Sequence, residues 1–208
     1  MKTRERILAT ALQLFNASGT GAVSTNHIAD ALGISPGNLY YHFHNKEEII
    51  RALFEQQYAR WDAVYALPDD RMPTLTDLQH LLRATFVTAW EYRFMYRELI
   101  ALLRRDDQLH RRWVDIRTRG FEGFQGLFGL FVAAGVLRTP GDASVVTRLA
   151  ELVWLISEFW LASVEVSGQD VDAAQMERGV GLMLQVLDPF IIDQAAEAPE
   201  ADSSQLGA

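Results

Sequence analysis

STNHIADALGISPGNLYYHFHNK, residues 24–46, spells two short helices joined by a glycine turn, then the start of a third. Ser24 is a good N-cap for a helix that carries Ile28, Ala29 and Leu32 on one face. Gly33 follows the last apolar residue, where a helix ends best on a residue tolerant of positive φ. Ser35-Pro36 restarts at once, Ser as N-cap and Pro at the first helical position, where its missing N–H costs nothing. Leu39 and Phe43 lie one turn apart and face inward. The offsets of Ala29, Gly33 and Leu39 are those of a helix-turn-helix, whose second helix enters the DNA major groove. Two helices with so short a turn bury little core, so the unit needs a scaffold.

The flanks supply one. Thr3 to Ser18 reads as a helix with Ile7, Ala11, Leu14 and Phe15 on one stripe, completing a three-helix head around Leu8, Phe15, Ile28, Leu32, Leu39 and Phe43. Asn45-Lys46-Glu47-Glu48 is a capping box that opens a long connecting helix over 46–66. Pro68-Asp69-Asp70-Arg71-Met72-Pro73 is the clearest loop. Beyond it, Thr74 or Thr76 caps one helix, a shorter helix spans Phe94–Leu103, and a long stripe runs from Leu109 to Phe131. Inside that stripe glycine recurs at Gly120, Gly123, Gly126 and Gly129, each costing about 1 kcal/mol against alanine; close approach of a helix or ligand, or deliberate looseness, would explain the run. Ser144–Val166 is apolar nearly all round, which predicts burial on both sides, one against its own core and the other against a second chain. Asp172 opens a last helix carrying Met176, Val180, Met183 and Leu187. No segment alternates convincingly as a strand. The expectation is an all-α protein: a head at 1–46, a helical body at 47–192, and a disordered, apolar-poor tail at 193–208.

With 208 residues and 49% hydrophobic content the chain can bury a full core. The absence of cysteine excludes a disulfide scaffold and Cys-ligated zinc, and fits a cytoplasmic location. No uncharged run approaches the roughly 20 apolar residues of a membrane span. The net charge of −8 is unevenly spread: Lys2, Arg4, Arg6 and Lys46 lie in the head, while Asp193, Glu197, Glu200 and Asp202 crowd the tail. What matters for DNA is the surface that faces phosphate, so the total does not exclude it.

Residues 23–46 resemble the DNA-binding region of the TetR/AcrR family of bacterial transcriptional regulators. The resemblance rests on Ile28-Ala29, Gly33-Ile34-Ser35, Gly37-Asn38-Leu39-Tyr40-Tyr41-His42-Phe43 and Lys46-Glu47-Glu48. It implies a homodimer of about nine- or ten-helix subunits, each an N-terminal helix-turn-helix head on a C-terminal ligand-binding and dimerisation bundle. Such a dimer binds a palindromic operator on double-stranded DNA, most often as a repressor, and releases it when a small-molecule effector enters the body. Carried over, Pro36, Gly37, Asn38 and Tyr41 match positions that face base edges, and Ser24, Thr25, Ser35, Tyr40, His42 and Lys46 match positions that touch phosphate. The chemistry agrees: hydroxyls and a lysine suit phosphate oxygens, and Asn38 can pair with adenine. The reading helix has no Arg or Lys, so bidentate guanine contacts are scarce, and thymine-methyl and shape readout carry more of the specificity.

In the body, Trp90, Phe94, Trp113, Phe124, Phe128 and Trp154 are candidates to line an apolar pocket between helices, with plain core packing the competing reading. Val153, Trp160, Gly179 and Met183 are the candidate dimer contacts, with one chain's own core as the alternative. His42 and His44 lack the carboxylate or cysteine company of a metal site, so no metal or cofactor is expected. No G-x-S-x-G, HExxH or phosphate-binding glycine loop argues for an enzyme. Two rivals stay open: an apolar-ligand carrier that does not bind DNA, and a DNA-binding regulator controlled by a protein partner.

Overall fold

Local capping chemistry sets the head. The Ser24 hydroxyl oxygen accepts from the His27 N–H at 3.2 Å and starts α2 (Thr25–Leu32), and Gly33 closes that helix at φ +69°. Ser35 accepts from the Asn38 N–H at 3.2 Å and starts α3 (Pro36–His42). These two helices pack on α1 (Thr3–Ala22) and on the start of α4 (Lys46–Val64), with Ile7, Leu8, Phe15, Ile28, Leu39 and Phe43 buried and Leu32 half-buried.

The computed structural model describes residues 2–67 and 70–192; the expected tail at 193–208 lies outside them. Among the described residues there are ten α-helices and no strand, only an isolated bridge between Leu137 and Ile191. The body comprises α5 (Leu75–Glu91), α6 (Arg93–Arg97), α7 (Leu99–Arg105), α8 (Asp107–Ala133), α9 (Ser144–Val166) and α10 (Ala173–Leu187). Thr74 caps α5 through the Asp77 N–H, and Asp172 caps α10 through the Gln175 N–H at 2.9 Å. The fold is thus all-α, a three-helix head on a helical body.

Three local expectations shift. The first helix does not stop at Ser18 but runs to Ala22 across a kink at Gly19, where φ is +75°. The Glu98 carboxylate accepts there from the Thr20 N–H at 2.7 Å and from its hydroxyl, holding the bent turn in place. A side chain at residue 19 would place its Cβ 2.7 Å from the same carboxylate, so glycine is needed for both φ and space. The helix expected over Phe94–Leu103 is two, α6 and α7, broken at Glu98. In the box that opens α4, Asn45 accepts from the Glu48 N–H at 2.8 Å, but the Glu48 carboxylate reaches past Asn45 to the His44 N–H at 2.9 Å.

Helix α4 has 19 residues, about 28 Å of rise, and joins head to body. Arg51 pairs with Asp106 at 2.6 Å, and Arg112 grips Glu55 through two bonds of 2.7 and 2.9 Å, tying α4 to α8. Such partly exposed pairs contribute up to about 1 kcal/mol each. The larger share comes from apolar burial: Leu53 and Phe54 are buried, and Phe54 stacks on Trp113 with ring centroids 5.4 Å apart. Of the four α8 glycines, Gly120 receives the Trp154 ring, whose Cη2 would lie 2.9 Å from an added Cβ. Gly123, Gly126 and Gly129 meet nothing, and the packing of the chain does not explain them.

Candidate DNA-reading surface and effector region

Helix α3 divides its residues sharply. Leu39 is buried, while Tyr40 and Tyr41 are 60% and 82% exposed. Pro36, Gly37 and Asn38 are exposed beside them, as are Ser24 and Ser35; Thr25 and His42 are half-buried. The tyrosine rings rest edge-on against histidines, Tyr40 on His44 at 4.8 Å and Tyr41 on His42 at 5.2 Å. Neither has a place in the core. Ser24 and Ser35 each spend an oxygen lone pair on a cap and keep the O–H free to donate to a phosphate. An added Cβ at Gly37 would meet only Ser35 Oγ at 4.0 Å, so nothing within the chain demands glycine there.

Lys46 is placed differently from the other candidates. Its ammonium donates to the carbonyls of Thr20 and, at 3.1 Å, Val23, closing the C-terminus of α1. Lys46→Ala is therefore expected to cost about 1–3 kcal/mol in urea unfolding, because those carbonyls lose their donor. A residue that touched only phosphate would leave stability unchanged and lower the salt slope of DNA binding by about one.

A second head-to-body junction gave no sequence signal. Asn16 donates to the Glu91 carbonyl at 2.7 Å and accepts from the Phe94 N–H at 3.0 Å, while Glu98 holds Thr20. Phe94 packs on Phe15 with centroids 5.3 Å apart. The end of α1 is thus fastened to the α6–α7 break.

In the body, a groove of about 670 Å³ opens between α6, α7 and α9, lined by Tyr96, Leu99, Ile100, Phe159 and Ala162 and also by Arg97, Arg104 and Arg105. None of the six aromatic candidates lines it. Phe94, Trp113 and Phe128 are buried core; Trp90 lies under Arg93, Trp154 sits on Gly120 and stacks on Phe121, and Phe124 packs beside Phe128. Tyr96 itself is buried, and its hydroxyl accepts from the Gln57 amide at 2.6 Å. Nearby, the Tyr65 hydroxyl meets Thr85 Oγ1 at 2.9 Å; burial raises both phenols above their ordinary pKa, and the Glu158 carboxylate raises Tyr96 further. Glu158 is buried and paired with Arg117, and burial pushes its own pKa up against that pairing.

Most of the candidate dimer contacts lie inside the single chain. Met183, Gly179 and Val153 are buried within the single chain, and Trp160 is half-buried with its indole N–H on the Gln175 carbonyl at 2.7 Å. Packing by the chain's own core removes the first three from any surface. The exposed face of α9 instead carries Leu152, Leu155, Phe159 and Val166. At about 100° per residue these four fall within an arc of roughly 60°.

No helix among the described residues is long and apolar enough to cross a membrane, and no group of three or more potential ligands could hold a metal there. An outward reading helix, set by serine caps on a large helical body, defines a helix-turn-helix transcriptional regulator. Family comparison agrees: residues 7–53 match the model of the bacterial regulatory proteins of the tetR family, and residues 54–198 match that of the bacterial transcriptional repressor TetR. The chain belongs to the TetR family of DNA-binding transcriptional regulators. It is 33% identical to a TetR-family regulator from Marinobacter aquaeolei, covering 92% of each chain with a TM-score of 0.83. It is 29% identical over 191 residues to the transcriptional repressor KstR2 of Mycobacterium tuberculosis, covering 81% of this chain and 86% of that one. It is also 41% identical over 58 residues to the regulator UidR of Escherichia coli.

Proposed function

We propose that the protein is a cytoplasmic homodimeric repressor that binds a palindromic operator through α3 and releases it when a small, largely apolar effector enters the body. The observation that carries the reading is the outward face of α3, where Asn38, Tyr40 and Tyr41 stand free of any internal role. The α9 stripe is the proposed contact between subunits. Because Phe159 belongs to both stripe and groove, a partner seated there would roof the groove and shield an effector from water. The effector acts by population shift: it favours an arrangement of α4 and of the Asn16–Glu98 junction in which the two heads leave the spacing of one DNA turn, roughly 34–36 Å. A coupling of about 1–3 kcal/mol is enough.

Electrophoretic shift with DNA from beside the protein's own gene tests this. The expected result is a specific, salt-sensitive complex that Asn38→Ala and Tyr41→Ala each weaken roughly tenfold or more, from about 1–3 kcal/mol of lost contact. Absence of any specific complex with the purified dimer would overturn it in favour of a ligand carrier. Control by a protein partner is the second reading, favoured by the filled core around Phe94, Trp113 and Phe128. It predicts no change in DNA affinity with any small molecule.

A further inference from the structure

Two buried polar atoms on the inner face of α4 have no partner among the described residues. Gln57 is 0% exposed; its amide nitrogen donates to Tyr96, and its Oε1 meets nothing. Turning the amide over leaves the count unchanged, since one of its two polar atoms faces Tyr96 and the other stays alone. One turn along, the indole Nε1 of Trp61 is also buried and unpaired. The Trp61 ring lies edge-on to Tyr96 with centroids 6.5 Å apart, so both residues that carry an orphan neighbour Tyr96. A buried donor or acceptor left unmade costs about 1–3 kcal/mol. Here two of them occupy successive turns of the helix that carries the DNA-reading head, against a residue that also lines the groove.

We infer that Gln57, Trp61 and Tyr96 form the polar end of the effector site, and that they recognise an uncharged, oxygen-bearing head group, a hydroxyl or a carbonyl, on an apolar body. This rests on the effector reading above and gives the effector a chemistry. One hydroxyl satisfies both orphans: it accepts from the Trp61 N–H and donates to Gln57 Oε1. A carbonyl does the same with the Gln57 amide turned, accepting from both N–H groups. A charged head is excluded by what surrounds Tyr96. Glu158 is the acid that acts on it, and the Arg117 guanidinium is already spent on that acid. An incoming carboxylate at the buried phenol would find a like charge, with Arg117 spent on Glu158 and the groove's Arg97 and Arg105 on Glu165 and Glu98; an ammonium would find only an acid already paired. Taking either out of water unpaired is prohibitive. The apolar body matches Leu99, Ile100, Phe159 and Ala162, and the volume of the groove lies within the range of small-molecule sites. Gln57 and Trp61 do not line the groove themselves; Tyr96 joins them to it, and the head group enters past its ring with the phenol still on Gln57.

The test uses the full chain and four probes with one tail and different heads: octanol, octanone, octanoate and octylammonium. Binding is read by calorimetry and release by operator mobility shift. Octanol and octanone are expected to bind, the two ions to bind at least tenfold more weakly, and Trp61→Phe and Gln57→Met each to cut octanol affinity roughly tenfold. Either variant suffices if the other folds poorly. Octanoate binding as well as octanol, an octanol affinity indifferent to both substitutions, or no binding by octanol and octanone overturns the head-group assignment and leaves the effector reading standing. Octanol that binds in a Trp61-dependent way yet leaves the operator complex intact supports the site and overturns the effector reading.

Discussion

Leu155→Glu is expected to yield a folded monomer that no longer holds its operator. Leu155 is 56% exposed in the single chain and Phe159 37%, on the stripe with Leu152 and Val166. A glutamate there disturbs no internal packing, so the unfolding free energy of the subunit itself should change by no more than about 0.5 kcal/mol. In the proposed dimer the same carboxylate would be buried opposite its symmetry mate, since a two-fold contact sets each patch against itself. Two unpaired buried charges cost several kcal/mol, enough to split the pair. Loss of the partner removes the second head from the DNA. Linking two reading modules raises avidity by roughly 10²–10⁴, and operator affinity should fall by that order. Sedimentation equilibrium and mobility shift on one preparation check both halves. A variant that stays dimeric would move the subunit contact off α9.

The Asn38 and Lys46 outcomes separate two kinds of legibility. The head could be read because its signals are local. Ser24, Gly33 and Ser35-Pro36 act on backbone within four residues of themselves, and each does what its side-chain chemistry predicts. The cap at Asp172 was legible for the same reason, and that of α5 to within the pair Thr74 and Thr76. Long-range chemistry was not. Nothing in the apolar window Phe94–Leu103 marks a break, because what breaks it at Glu98 is a bond to Thr20, 78 residues earlier in the chain. Lys46, which the resemblance matches to a phosphate-touching position, is likewise drawn to carbonyls 23 and 26 residues away. Helix α9 fails differently. Its apolar residues surround the whole helix, so the pattern has no phase, and Val153 and Trp160 stand as contact candidates while Leu155 and Phe159, which the structure exposes, are not singled out. The same loss of phase made pocket and core aromatics inseparable. One signal was available: Gln57 lies three residues after Phe54 and four before Trp61, a polar residue on an apolar stripe, and it marks the buried polar end of the body.

Gly179 offers the strongest test of how tightly that body is packed, when set against a glycine that packs nothing. Gly179→Val should destabilise the protein by about 3 kcal/mol or more. An added Cβ would sit 2.6 Å from Cζ of Phe86 and 2.9 Å from Cδ1 of Trp160, and valine adds two methyls to a space that those rings already fill. Phe86 is 2% exposed and the Trp160 indole is tied to the Gln175 carbonyl, so neither ring is free to swing away. Overpacking a closed core costs about 1–3 kcal/mol and more where the neighbours are held. Gly126→Ala, on α8, has nothing within 4 Å of its new methyl and should stabilise by about 1 kcal/mol through helix propensity alone. Urea unfolding of the two variants should therefore move in opposite directions from the parent. If Gly126→Ala also destabilises, a surface of α8 that the single chain leaves open is covered in the protein that was melted. If Gly179→Val is neutral, α5 and α10 are not locked together at Phe86, and the body is looser than its contacts imply.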